Sequence, residues 1–184
     1  MQHIYEYKTR FDLPDDFNQA IGKIMVRHAY IEAYLQQLVY LVADIDPMIG
    51  RAAFREPRSP DRLGLIEDIC DARGIRWDED ARIFFKAFKA DLRQATEIRD
   101  QLAHSRWHYD EEEDQWGTEN LRGKHPNNDP RQGPTGKKRL RPEALVWDAP
   151  TLELVVNALE MLIGKLTELN QTIVDILEKA SAKS

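Results

Sequence analysis

The stretch that decides the fold runs from Asp78 to His104 and reads DEDARIFFKAFKADLRQATEIRDQLAH. Asp78 can cap a helix N-terminus, and the next two carboxylates then lie in a first turn, where they complement the positive end of the helix dipole. Apolar side chains follow at Ala81, Phe84, Phe85, Phe88, Leu92, Ala95 and Leu102. Because most of these steps are three or four residues, the side chains share one face of an α-helix. The stretch therefore predicts a long helix that packs this face against other helices.

Arg99 interrupts the apolar face. Continuing steps of three and four from Ala95 to Leu102 leads to Arg99, which places a guanidinium where the pattern requires a hydrocarbon. A charge on a buried face is costly unless it is paired. We therefore expect Arg99 to have either a carboxylate partner or a function.

The same periodicity recurs on both sides of this stretch. It predicts a first helix at about 16–43 and a last helix that begins after Asp148 or Thr151 and runs to about 179. Ser59 and Pro60 favour the start of a shorter helix that Gly74 ends, and a helical turn is expected around 48–54. The fold class is all-α: an antiparallel bundle of four to five helices, in a single domain over residues 1–184.

Residues 105–148 form an irregular insertion in this prediction. Prolines 126, 130, 134 and 142 and glycines 117, 123, 133 and 136 exclude a continuous helix there. We expect a long loop between the last two main helices, with a short hairpin between 106–109 and 144–147. A connection of this length is typically functional or disordered, and the sequence leaves both open.

Composition narrows the class of protein. The chain has 184 residues, a 42% hydrophobic content and a net charge of -6, and it lacks the run of about 18 apolar residues that a membrane span needs. Residues 1–16 do not resemble a secretory signal, and the single cysteine, Cys70, has no partner for a disulfide or the spacing of a zinc site. We therefore expect a soluble, cytoplasmic protein with no membrane partner, no cofactor and no metal.

Charge is segregated along the insertion. Residues 110–114 are all acidic, whereas 122–141 contain seven Lys or Arg and one acidic residue. Lys137, Lys138 and Arg139 are candidates for contacts with RNA phosphates, which add affinity without reading sequence. A solvated loop explains the same charges equally well.

The six residues Arg99-Asp100-Gln101-Leu102-Ala103-His104 resemble the HEPN motif, in which an Arg, a polar residue, a short spacer and a His lie near the end of a bundle helix. The spacer here is of the Arg-x4-His form. The resemblance implies a metal-independent endoribonuclease that binds RNA as a homodimer, with two copies of the motif facing one cleft. It also implies a toxin or antiphage role, with a protein antitoxin or a nucleotidyltransferase as a further partner.

Arg99, Asp100 and His104 are residue types that can cleave RNA without a metal ion. In the functional interpretation, His104 moves protons, a role that histidine side chains commonly fill, Arg99 holds phosphate oxygens, and Asp100 tunes the pair. Trp107 and Tyr109 would stack on unpaired bases. Five residues of regular helix separate the Arg and the His by about 140°, so one copy makes a poor pocket unless the helix ends or bends there.

A structural interpretation stays open beside the functional one. Arg99 would then form a buried ion pair, most plausibly with Glu32, and His104 would stabilise the helix C-terminus. Trp107 and Tyr109 would cover the end of the core. His28, on the apolar stripe of the first helix, is best interpreted as a core histidine with a hydrogen-bond partner. The corresponding function is a non-catalytic HEPN-like module for dimerisation or partner binding.

Overall fold

The computed structural model describes residues 13–53, 59–111, 113–119 and 145–181. Within these ranges the chain forms five α-helices and three β-strands. In chain order they are α1 (Asp15–Ala43), α2 (Pro47–Ala53), α3 (Ser59–Ala72), α4 (Glu79–His104), β1 (Arg106–Asp110), β2 (Gln115–Glu119), β3 (Leu145–Trp147) and α5 (Ala149–Ser181). The predicted all-α bundle is confirmed, with a small sheet added at 106–147.

The helix ends follow the local signals in the sequence. The Asp78 carboxylate accepts a hydrogen bond from the Ala81 amide at 2.9 Å, and the Asp148 carboxylate accepts one from the Thr151 amide at 2.7 Å. Each bond satisfies an amide that the first turn of a helix leaves unpaired. After α3, Gly74 adopts a left-handed conformation with φ of 67°, which glycine tolerates better than other residues.

The four longer helices surround one hydrophobic core. Ion pairs fix their directions: Lys23 with Glu153 and Arg27 with Glu160 show that α1 and α5 run the same way. Helix α4 runs opposite to both, because His28 contacts Thr96 while Phe17 contacts Trp107, just beyond the end of α4. The largest fully buried side chains are Phe88, Ile24, Ile31, Leu35, Leu38, Leu63, Ile66, Leu92, Leu152, Leu159, Leu166 and Leu169.

The predicted hairpin between 106–109 and 144–147 is wrong in its pairing. Strand β1 pairs with β2, and β2 pairs with β3, so β2 lies between the two predicted partners. Both contacts are antiparallel. Strand β2 follows β1 after only four residues, so its pairing closes a much shorter loop than a direct pairing of β1 with β3.

Aromatic residues attach this sheet to one end of the bundle. Phe17 at the start of α1 packs its ring against Trp107 and Trp116, with centroids 6.2 and 6.3 Å apart. The Trp147 indole donates a buried hydrogen bond to the Thr118 hydroxyl at 2.8 Å. The sheet therefore covers the bundle end where α4 finishes, beside the motif.

None of the helices in the described part of the chain contains a stretch that is both long and apolar enough to cross a lipid bilayer.

Candidate functional site

A group of polar side chains lies between α1 and α4, where the rest of the contact is apolar. We call it the α1–α4 polar cluster, and its members are His28, Glu32, Thr96, Arg99 and Asp100. The α1 members are four residues apart, and the α4 members span four residues, so each set lies along one side of its helix. The cluster includes two of the three residues of the motif.

Arg99 is held by two carboxylates. Its Nη2 donates to Glu32 Oε1 at 3.3 Å, and its Nη1 lies 3.0 Å from Asp100 Oδ1. The predicted ion pair between Arg99 and Glu32 is therefore confirmed. The Arg99 side chain is 24% exposed and that of Glu32 33%, so solvent reaches the pair from one side.

His28 lies beneath this pair and is 1% exposed. Its Nε2 is 3.1 Å from the Thr96 hydroxyl, and its Nδ1 is 3.7 Å from Glu32 Oε1. Burial lowers the pKa of His28, and the Arg99 guanidinium lowers it further, while the carboxylates of Glu32 and Asp100 oppose this. His28 is thus a buried histidine with a hydrogen-bond partner, as the sequence predicts.

A third helix, α3, places Arg62 close to the cluster. It is 8% exposed, and its Nε donates to Gln36 Oε1 at 3.0 Å. Its charge also lowers the pKa of His28. The sequence prediction missed both Arg62 and Thr96. Arg62 lies one helical turn before Ile66 and Thr96 one turn after Leu92, and that spacing on an apolar stripe would have revealed them.

His104 does not join the cluster. It is the last residue of α4 and is exposed. The helix keeps its geometry to this point, since the Ser105 amide donates to the Gln101 carbonyl at 3.0 Å. The Arg99 and His104 side chains therefore leave the axis about 140° apart and about 7.5 Å apart along it. One copy of the chain does not bring the two groups to one pocket.

The predicted base-stacking residues pack against the protein itself. Trp107 donates its indole N–H to the Leu102 carbonyl at 3.3 Å. The Tyr109 hydroxyl bonds to Asp114, and its ring lies 5.2 Å from that of Trp116. Both side chains are half-buried, so each still exposes part of its surface. Lys137, Lys138 and Arg139 lie outside the described residues.

The other side of α4 carries an apolar groove of about 510 Å³, shared with α5. Ala95, Ile98 and Ala158 are among the residues that line it. Two large apolar side chains protrude beside them: Leu154 is 68% exposed and Met161 67%. On a regular helix, the side chains that α4 contributes to this groove point between about 80° (Gln94) and about 180° (Ala95) away from His104. The groove and the motif histidine therefore occupy different faces.

Among the described residues, no group of three or more His, Cys, Asp or Glu side chains is placed to hold a metal ion. Comparison of the chain with models of known families, with curated proteins and with solved structures finds no match in any of the three. The likeness to HEPN domains therefore depends on the motif and on its position at the end of α4.

Proposed function

We propose that this protein is a metal-independent endoribonuclease of the HEPN type. The observation that carries the proposal is the state of Arg99: a guanidinium that faces the bundle, yet is 24% exposed and is held in place by two carboxylates. A second part of the proposed machinery, His104, is exposed at the end of the same helix. An arginine kept partly accessible in this way can exchange a carboxylate for a phosphate, which it binds with the same fork of N–H groups.

The proposed reaction needs only groups that these side chains supply. The ribose 2'-oxygen forms a bond to the adjacent phosphorus, and the bond from phosphorus to the 5'-oxygen breaks. A base takes the 2'-proton, and an acid gives a proton to the 5'-oxygen, which leaves a 2',3'-cyclic phosphate and a 5'-hydroxyl. His104 is suited to either proton transfer. Arg99 would stabilise the charge on the phosphate oxygens.

A second copy of the chain completes the proposed site. Since the regular geometry of α4 separates Arg99 and His104 by about 140°, we propose a symmetric homodimer in which His104 of one copy and Arg99 of the other share one phosphate. The resemblance to HEPN domains supports a cytoplasmic toxin or antiphage effector with a protein antitoxin as partner, whereas a nucleotidyltransferase would be the partner of the non-catalytic alternative.

The test uses the purified full chain and single-stranded RNA in the presence of EDTA. Wild type is expected to cut RNA and to leave 2',3'-cyclic phosphate ends, and His104→Ala and Arg99→Ala each to lower the rate by about 100-fold or more. Arg93→Ala is the matched control, because Arg93 is an exposed arginine on the same helix, and it is expected to retain full activity. Cleavage that persists at the wild-type rate in both motif variants would disprove the assignment.

The apolar groove favours a second candidate, a non-catalytic HEPN-like module for dimerisation or partner binding. Exposed side chains as large as Leu154 and Met161, in a groove whose lining is mostly apolar, are typical of surfaces that another protein covers. Under this alternative the pair between Arg99 and Glu32 is a structural contact only. RNA that remains uncut by wild type over a wide range of substrates, together with a stable dimer, would favour the module.

A further inference from the structure

Two nitrogen groups face the same oxygen of Glu32. Arg99 Nη2 lies 3.3 Å from Glu32 Oε1, and His28 Nδ1 lies 3.7 Å from the same oxygen. The Arg99 guanidinium contributes a positive charge beside this carboxylate. The imidazole occupies the position that a second cation would take.

The proton on His28 can be assigned from its neighbour Thr96. The Thr96 hydroxyl has one proton, and it donates that proton to the Leu92 carbonyl at 2.8 Å, a bond that threonine commonly makes one turn back along a helix. Its oxygen can then only accept from His28 Nε2, at 3.1 Å. The neutral imidazole therefore carries its proton on Nε2, which leaves the lone pair of Nδ1 towards Glu32.

The charges around His28 set when Nδ1 takes up a proton. Arg99 on α4 and Arg62 on α3 disfavour the imidazolium, whereas Glu32 on α1 and Asp100 on α4 favour it. Burial and the two arginines prevail, so the pKa of His28 is lowered. An anion that neutralised Arg99 and drew it away would leave Glu32 without that cation and reverse part of this balance.

We propose that His28 is a positioning residue for Arg99, and that its protonation and the release of Arg99 from Glu32 are one coupled step. When the guanidinium turns to an RNA phosphate, His28 takes up a solvent proton at Nδ1 and donates that N–H to Glu32 Oε1 in its place. Glu32, which is 33% exposed, can relay the proton inward. The inference rests on the proposed function, because it takes phosphate as the group that draws Arg99 away.

The first test needs no RNA. We expect two-bond ¹H–¹⁵N spectra of the full chain at pH 8 to show His28 as the Nε2–H tautomer. In Arg99→Met, loss of the guanidinium is expected to raise the midpoint of the His28 titration by about one pH unit. Arg27→Met is the matched control, because it removes a positive charge from the same turn of α1 on the side that pairs with Glu160, and it should leave the midpoint nearly unchanged.

The second test measures protons taken up on binding RNA. The probe is a 2'-O-methylated oligonucleotide, which lacks the attacking hydroxyl, titrated calorimetrically in two buffers of different ionisation enthalpy near pH 7. Wild type is expected to take up as much as about one proton per site, with RNA affinity rising as pH falls. In His28→Gln this uptake is expected to be lost, because the amide retains a donor towards Thr96 but does not titrate.

The outcomes separate the inference from the proposed function. A His28 midpoint that does not move in Arg99→Met, or equal proton uptake in wild type and a folded His28→Gln, overturns the coupling. If the midpoint moves as expected but wild type binds no RNA at any pH, the proposed function fails, while the coupling between His28 and Arg99 stands.

Discussion

Helix α4 makes a polar contact on the side that faces α1 and a mostly apolar contact on the side that faces α5. Towards α1, the helix presents a polar cluster in which a buried imidazole, two carboxylates and a guanidinium depend on one another. Towards α5, it presents alanine and isoleucine around a groove, and the contact is held by packing and by the ion pair of Asp91 with Lys165 at 2.6 Å. Polar contacts inside a bundle add little net stability, because desolvation offsets their attraction. We therefore expect the contact between α4 and α5 to stabilise the bundle, and the polar contact between α4 and α1 to be retained for the proposed RNA site.

The largest loss of stability is expected when the apolar contact between α4 and α5 is disrupted. Leu159 is 1% exposed and forms part of the groove wall. Leu159→Ala is expected to lower the free energy of unfolding by about 2–5 kcal/mol, because it removes buried methyl groups and leaves a cavity. Urea unfolding followed by circular dichroism measures this. Leu154→Ala, five residues earlier on α5 and 68% exposed, is the control, and it is expected to lower the free energy of unfolding by less than about 0.5 kcal/mol.

Disrupting the polar contact between α4 and α1 should lower the free energy of unfolding by a smaller amount. That amount should depend on whether one charge or both charges are removed. Glu32→Leu and Arg99→Leu are each expected to lower the free energy of unfolding by about 1–3 kcal/mol, because each leaves the other charge partly buried without that partner. The double variant should come within about 1 kcal/mol of wild type, since it removes both charges together and leaves neither of them partly buried without the other.

The same double-mutant cycle bears on function. The double variant is expected to fold yet to lose RNA cleavage, which would show that the pair is retained for the site. A double variant that loses as much stability as both single variants together would instead mean that the pair is a structural contact.

A smaller change in stability is expected when the pH is lowered. Because burial lowers the pKa of His28 below its ordinary value of 6.5, the unfolded chain binds the proton more readily than the folded one. Stability should therefore fall as pH drops from 6.5 towards the folded pKa, by at most about 1.4 kcal/mol per pH unit. Urea titrations at several pH values measure this slope. His28→Gln should lack it, whereas an equal slope in that variant would assign the effect to other groups.

The helices could be predicted because their signals are local. Periodicity placed α1, α4 and α5 correctly, and the caps at Asp78 and Asp148 depend on neighbouring amides alone. The pair of Arg99 with Glu32 could also be predicted, because each residue lies on a stripe that faces the core. Such information needs only the spacing of residues along one helix.

The sheet and the rest of the cluster depend on contacts between distant segments. Strand β2 includes Gly117, whose backbone lies under the His108 ring, where a Cβ would come within 2.7 Å of the imidazole. Read alone, a glycine beside an acidic run indicates a loop and not a central strand. The apolar stripe of α3 marks Arg62 as a residue that faces the core, but its place beside His28 depends on how α3 crosses α1, which no local pattern specifies.

The smallest effect on stability is expected from the groove surface, and it separates the two functional proposals. Leu154→Lys combined with Met161→Lys changes only side chains that are about two-thirds exposed, so the free energy of unfolding should change by less than about 0.5 kcal/mol. Because the α4 side chains of the groove point about 80° to 180° away from His104, a nuclease dimer built around His104 should stay intact and active in this variant. Sedimentation velocity and RNA cleavage measure both properties. A dimer that dissociates into folded monomers would place the second copy on the groove and would favour the binding module.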